Sequence, residues 1–208
     1  MEIQFHGANC VSLSGKKFNV VVDDNLESLG GKSVAKPGDI VLQTFDQTQP
    51  KAEAKIVITA PGEYEVSNVS IRGVSARAHM DEEGKKSAVI YSLIIDDIRV
   101  AIVGHIYPSL NEEQMEIIGT VDVLLVPVGG NGYTLDPIGA QKVIKLLEPK
   151  LVIPTHYGDK SLSFEVPQQP LEEALKTMNM EPKESVDKLK LKSGEIGELT
   201  HLIVVNKS

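Results

Sequence analysis

The chain has 208 residues, 41% of them hydrophobic and 24% charged, the composition of an ordinary globular protein able to bury its own core as one domain or a tight pair of half-domains. Its single cysteine, Cys10, excludes an internal disulfide, and the net charge of −8 argues against general nucleic-acid binding, which relies on Lys and Arg facing phosphates. No stretch approaches the roughly 20 apolar residues of a membrane-spanning helix, so no membrane partner is expected.

The opening Met1-Glu2-Ile3-Gln4-Phe5 has neither the charged start nor the apolar run of a secretory signal, and a cytoplasmic location is expected. Ile3 and Phe5 alternate with polar neighbours, and Phe18 to Val22 forms an apolar run that stops at Asp23-Asp24. Ile40-Val41-Leu42 and Ile56-Val57-Ile58 are short strand candidates bounded by Pro37-Gly38 and Pro61-Gly62. Val69, Ile71 and Val74 follow, then Ala88 to Ile95 and Val100 to Val103, with Asp96-Asp97 as a hairpin signal between the last two. β-Branched residues dominate these runs and favour strand over helix.

The second half alternates. Asn111 to Ile118 predicts a helix, with Asn111 as N-cap and Gln114 as its capping-box partner. Val121 to Val128 is almost continuously apolar, as a strand buried on both faces should be. Asp136 caps a helix with Pro137 at its first position, whose apolar stripe is expected to comprise Ile138, Val143, Ile144, Leu146 and Leu147. Leu151-Val152-Ile153 predicts another buried strand, Pro170 to Met178 a helix started by Glu172 and Glu173, and Leu189/Leu191 and Leu202 to Val205 the closing strands. Lys183, Lys188, Lys190 and Lys192 are read as a solvated strand face rather than a basic binding patch. Layer arguments on this order give an α/β or α+β fold with two sheets covered by helices.

Several segments carry a family resemblance. Val126-Pro127-Val128-Gly129-Gly130-Asn131-Gly132-Tyr133-Thr134-Leu135-Asp136 and Leu147-Glu148-Pro149-Lys150-Leu151-Val152-Ile153-Pro154-Thr155-His156-Tyr157 are the most specific. Pro61-Gly62-Glu63-Tyr64-Glu65-Val66, the opening Gly7 to Cys10, the Val22-Asp23 strand end and the Lys188 to Val205 region support them. Together they resemble the Zn-dependent hydrolases of the metallo-β-lactamase superfamily, in the branch similar to ascorbate-6-phosphate lactonase. The resemblance implies one domain over residues 1–208, a four-layer αββα sandwich of the α/β class, with metals held by loops at strand ends along one edge.

The same resemblance exposes a departure. The family's His-x-His-x-Asp-His motif follows a strand that here ends at Thr44, and its four ligand positions are occupied by Phe45, Gln47, Gln49 and Pro50. Phe and Pro offer no donor, and the neutral amides of Gln47 and Gln49 are weak zinc ligands beside imidazole or carboxylate. His79 stands where the third-motif histidine is expected, His105 replaces the bridging aspartate after Gly104, and His156 matches the final histidine. Without the bridging carboxylate a second Zn²⁺ would be poorly neutralised, so the expected cofactor is none or one zinc ion. Asp46 could lend a carboxylate to the altered motif, but more often such a residue caps a turn, and Asp23 and Asp24 are read as supporting or loop residues. No Ser-His-Asp arrangement is legible, and no catalytic residue is nominated.

Two functions stay open at this level. One is a catalytically impaired or non-catalytic relative retained for binding or scaffolding. The other is a mononuclear hydrolase of a small ester, lactone or phosphoester, in which His79, His105 and His156 hold one metal and its bound water is acidified toward a pKa of about 7. The resemblance implies a small anionic molecule as ancestral ligand and is compatible with homo-oligomers.

Overall fold

In the computed structural model, which describes residues 1–46 and 53–208, the apolar runs become strands. In chain order they are β1 Glu2–Gly7, β2 Cys10–Ser14, β3 Asn19–Val22, β4 Ile40–Leu42, β5 Ile56–Ile58, β6 Gly62–Val66, β7 Val69–Ala76, β8 Ala88–Ile95 and β9 Ile98–Ile102. There follow α1 Glu112–Ile118, β10 Val123–Pro127, α2 Pro137–Leu147, β11 Leu151–Thr155, α3 Leu171–Met178, β12 Pro182–Val186, β13 Leu189–Lys190 and β14 His201–Val205. They build a six-stranded sheet in the order β13-β1-β2-β3-β4-β5 and an eight-stranded sheet in the order β12-β14-β11-β10-β9-β8-β7-β6.

Side-chain alternation explains how the sheets stack. Val20 and Val22 of β3 face the core between the sheets, while Val21 faces the opposite side. In the larger sheet Val123 and Leu125 of β10 join the inter-sheet core, whereas Leu124 and Val126 pack under the helices. The same split divides Leu151 and Ile153 from Val152 on β11, and Ile203 and Val205 from Leu202 and Val204 on β14. These strands read as continuous apolar runs because both of their faces are buried. The fold is an α/β sandwich of two stacked sheets, the class the resemblance implied.

The outer layers are unequal among the described residues. The larger sheet carries α1, α2 and α3, with the capping box of Asn111 and Gln114 formed and Asp136 accepting from Gly139 N at 2.6 Å. Over the smaller sheet, a 3-10 turn at Leu26–Leu29 and the loop residues Val34, Leu162 and Phe164 close on Cys10 and Val21 instead. The expected stripe of α2 needs correction. Ile138 and Leu146 are 56% and 45% exposed, and the inward face is Ala140, Val143, Ile144 and Leu147. At 100° per residue, positions 138 and 146 lie on the far side from that face. β12 had no apolar signature, because Pro182 to Ser185 are exposed in an edge strand held by β14 alone.

The two sheets are also tied by a polar contact. Tyr91 of β8 is fully buried, and its hydroxyl lies 3.2 Å from Gln43 O and 3.1 Å from Ile58 O in the smaller sheet. Tyr91→Phe keeps the ring and removes only this tie. It is expected to lower unfolding stability by about 1 kcal/mol, read as a lower urea midpoint at unchanged slope; an unshifted midpoint would remove this contact from the account.

Candidate functional site

The ends of β3, β4 and β11 and the β1–β2 turn meet at one edge of the sandwich, joined by a buried hydrogen-bond chain. Thr155 Oγ1 donates to Asn9 Oδ1 at 2.6 Å, and Asn9 Nδ2 donates to Asp23 Oδ2 at 2.6 Å. Asp23 also accepts from Thr44 N at 2.7 Å and from Thr44 Oγ1 at 2.6 Å. Asn9, Asp23, Thr44 and Thr155 are all buried. Thr155 belongs to the larger sheet and the other three lie at strand ends or turns of the smaller one, so the chain fastens both sheets where the site begins.

That edge is conformationally costly. Ala8, Asp23 and His156 have φ values of 49°, 47° and 50°, the left-handed region that non-glycine residues seldom occupy. His156 is held there by its N–H donating to Ala8 O at 2.6 Å. Gly104 turns the chain beyond β9 at φ 58°, and a Cβ there would sit 2.2 Å from Thr44 Oγ1, so only glycine brings the next residue, His105, this close to the Asp23 chain.

Two of the three sequence-nominated histidines come together. The His105 and His156 rings lie 4.5 Å apart at 86°, and both residues are buried. Phe45 packs edge-on against His105 at 4.5 Å, Tyr133 reaches His105 at 5.1 Å and His156 at 5.7 Å, and Phe164 reaches His156 at 5.3 Å. His79 joins through its backbone, donating its N–H to His105 O at 2.7 Å, while its ring lies 6.2 Å from Tyr107. Tyr107 in turn carries the Arg77 guanidinium 4.2 Å above its ring. Among the described residues no three His, Cys, Asp or Glu side chains converge as a metal-holding group. Gln47 and Gln49 lie outside the described residues.

Protonation follows from burial. Desolvation drives the His156 imidazole down from 6.5 to about 4, against a hydrogen bond with Gln168 that favours the charged form. Desolvation first, and then the neighbouring His156, push His105 well below 6.5. Gln168 Nε2 donates to Val166 O at 2.7 Å, which turns its Oε1 toward His156 Nδ1 at 3.3 Å. The network therefore assigns the proton of neutral His156 to Nδ1 and the free lone pair to Nε2. Among the described residues, the buried Nδ1 atoms of His105 and His79 have no hydrogen-bond partner.

A cleft of about 350 Å³ opens beside His156. Phe45, Tyr133 and Phe164 supply rings, Asp46 and Glu165 carboxylates, and Asn25, Ser28, Ser163 and Gln168 neutral polar groups. Asp46 and His156 both line this cleft. Asp24 faces a different task, accepting from Ser33 Oγ, Val34 N and Ala35 N to fold the loop after the 3-10 turn. The glycine-rich segment after β10 is a strand-to-helix turn with Gly130, Asn131 and Gly132 at positive φ, pinned by Asn131 Nδ2 donating to Pro167 O. Sequence reasoning missed Asn9, Thr155, Tyr133, Phe164, Glu165 and Gln168. Phe164 to Gln168 sit in a loop with no periodicity, so only tertiary packing shows them.

Comparison with known proteins places these features. A profile of the beta-lactamase superfamily domain matches residues 2–156. A metal-dependent hydrolase of Thermoplasma volcanium is 28% identical over 194 residues, covering 76% of this chain and 84% of that protein. A metal-dependent hydrolase of Thermococcus onnurineus is 34% identical over 101 residues, but the match spans only 47% of this chain and 44% of that relative. A Thermotoga maritima crystal structure, described as a candidate Zn-dependent hydrolase of the metallo-β-lactamase superfamily, superposes with TM-score 0.75 at 27% identity and covers 99% of this chain and 98% of its own. Among the described residues no helix is long and apolar enough to cross a membrane.

The buried histidines make stability depend on pH in a definite direction. Between 6.5 and about 4 the unfolded chain binds a proton at His156 that the folded chain refuses. Stability is therefore full above 6.5 and falls with pH through that window, by about 1.4 kcal/mol per pH unit for one proton. His105 acts in the same direction. Urea midpoints measured at pH 7, 6 and 5 are expected to fall steadily, and less steeply in His156→Gln; an equal slope in the variant would contradict the burial argument.

Proposed function

The chain belongs to the metallo-β-lactamase superfamily, and from that membership we propose that it is a hydrolase relative without the dinuclear zinc centre, catalytically impaired and retained as a binding protein. The observation that carries this reading is Phe45. It occupies the first ligand position of the motif after Thr44, and its ring lies edge-on to His105 at 4.5 Å, apolar surface where an imidazole donor would stand. His105 itself replaces the carboxylate that would bridge two cations. The donors present among the described residues do not suit a pair of Zn²⁺ ions, and no step through such a pair is derived for this chain.

The arrangement does suit binding. His156 and His105 are kept neutral by burial, the three rings give a fixed apolar wall, and Gln168 orients the one imidazole that lines the cleft. A preformed concave pocket that combines ring surface with oriented polar groups suits a small molecule. The inter-sheet core runs from Ile3 to Val205, which supports taking residues 1–208 as one unit.

A second reading keeps hydrolysis with one metal. It is favoured by the buried, unpartnered Nδ1 atoms of His105 and His79, which an ion would satisfy. Here His105 and His156, with His79, would hold the ion, which would supply a hydroxide at neutral pH. Elemental analysis of protein purified without a chelating tag separates the two. The binding reading expects well under one zinc per chain, unchanged in His156→Ala, and no metal-stimulated cleavage of ester or phosphodiester substrates. One tightly held ion lost in His156→Ala establishes the second reading, and two ions per chain with robust turnover overturn both.

A further inference from the structure

Resting on the reading of this cleft as a binding site, we infer that its ligand is a small organic cation, an alkylammonium group seated among Phe45, Tyr133 and Phe164 and faced by the carboxylates of Asp46 and Glu165.

Three independent features agree. The first is charge. Asp46 and Glu165 are the charged side chains lining the cleft, and no Lys or Arg lines it among the described residues. A carboxylate, phosphate or lactone-derived anion entering here would meet two like charges and, among the described residues, no countercharge.

The second feature is the wall. Phe45, Tyr133 and Phe164 are half-buried, and all three line the cleft. Ring faces attract cations through their quadrupole, and cages of several rings with an acid at the rim select quaternary ammonium over neutral groups of the same shape.

The third feature is size. A volume of about 350 Å³ suits a small ligand. The neutral His156 Nε2 and the side chains of Asn25, Ser28 and Ser163 leave acceptors and donors for one polar substituent beside the cationic head. The expectation of a small anionic ligand came from the family alone. This lining favours the opposite charge.

Three probes of one shape test the inference: choline chloride, the uncharged 3,3-dimethyl-1-butanol and the anion 3,3-dimethylbutyrate, titrated calorimetrically at constant ionic strength. Choline is expected to bind saturably and at least about fivefold more tightly than the alcohol, with the anion weakest. Phe164→Ala and Glu165→Gln should each cut the choline preference by a similar factor. Glu165 is exposed, so its variant reports on charge even where the Phe164 variant misfolds. No saturable choline binding, an equal or reversed order of the probes, or an unchanged preference in Glu165→Gln overturns the inference. The titrations are run on chelator-treated protein and repeated with excess zinc. Two zinc ions loading onto the chain refute the metal-poor reading alone, while the probe order in the chelator-treated sample decides the ligand class separately.

Discussion

The Asp23 carboxyl group is the contact on which the site depends. It accepts from Asn9 and twice from Thr44, and Asn9 passes the connection to Thr155. Apolar packing between the sheets fixes their separation but is tolerant of sliding, because it has no direction. Four short hydrogen bonds buried at one edge are directional, and a buried donor left unmatched there costs more than the bond itself contributes. The chain therefore sets the register of the two sheets at the edge where the loops converge. Everything nearer the cleft inherits its position from that edge.

Local strain becomes intelligible on this footing. His156 follows Thr155 directly, so its left-handed backbone is over-determined by Thr155 bonding to Asn9 on one side and its own N–H bonding to Ala8 O on the other. Gly104 has to accept close contact with Thr44 because Thr44 is committed to Asp23. That closeness brings His105 against His156. A buried polar chain with no aromatic member thus aligns two imidazoles, and the rings of Phe45, Tyr133 and Phe164 fill around them.

Legibility in the sequence followed the range of the forces involved. Strands such as Ile40–Leu42, Ile56–Ile58 and Ala88–Ile95, and the caps at Asn111 and Asp136, were readable because alternation and capping are local. Ile138 and Leu146 were misplaced because hydrophobicity names what can be buried, and the helix azimuth decides what is. Pro182–Val186 left no signal, since an exposed edge strand is specified by its neighbour. At the site, His79, His105, His156 and Asp46 could be nominated only through the family motif. The meeting of His105 and His156 depends on the Asp23 chain, and the share of Phe164, Glu165 and Gln168 on a loop from a distant part of the chain whose composition is unremarkable on its own.

A fold of this kind separates scaffold from chemistry at the level of single residues. The Asp23 chain needs only hydrogen-bonding partners of fixed shape, and it is indifferent to whether the neighbouring loop presents imidazole or phenyl. On the proposed reading, a phenyl ring at position 45 in place of a metal donor leaves the sheets in register while changing the kind of cation the cleft accepts. With donors present, such a rim would concentrate cationic metal and, through it, anions. With rings and the two carboxylates of Asp46 and Glu165 present, the described lining offers negative charge and polarisable surface. On the proposed reading the cleft keeps its preference for positive charge, and the cation it accepts changes from a coordinated ion to one held by ring faces and carboxylates.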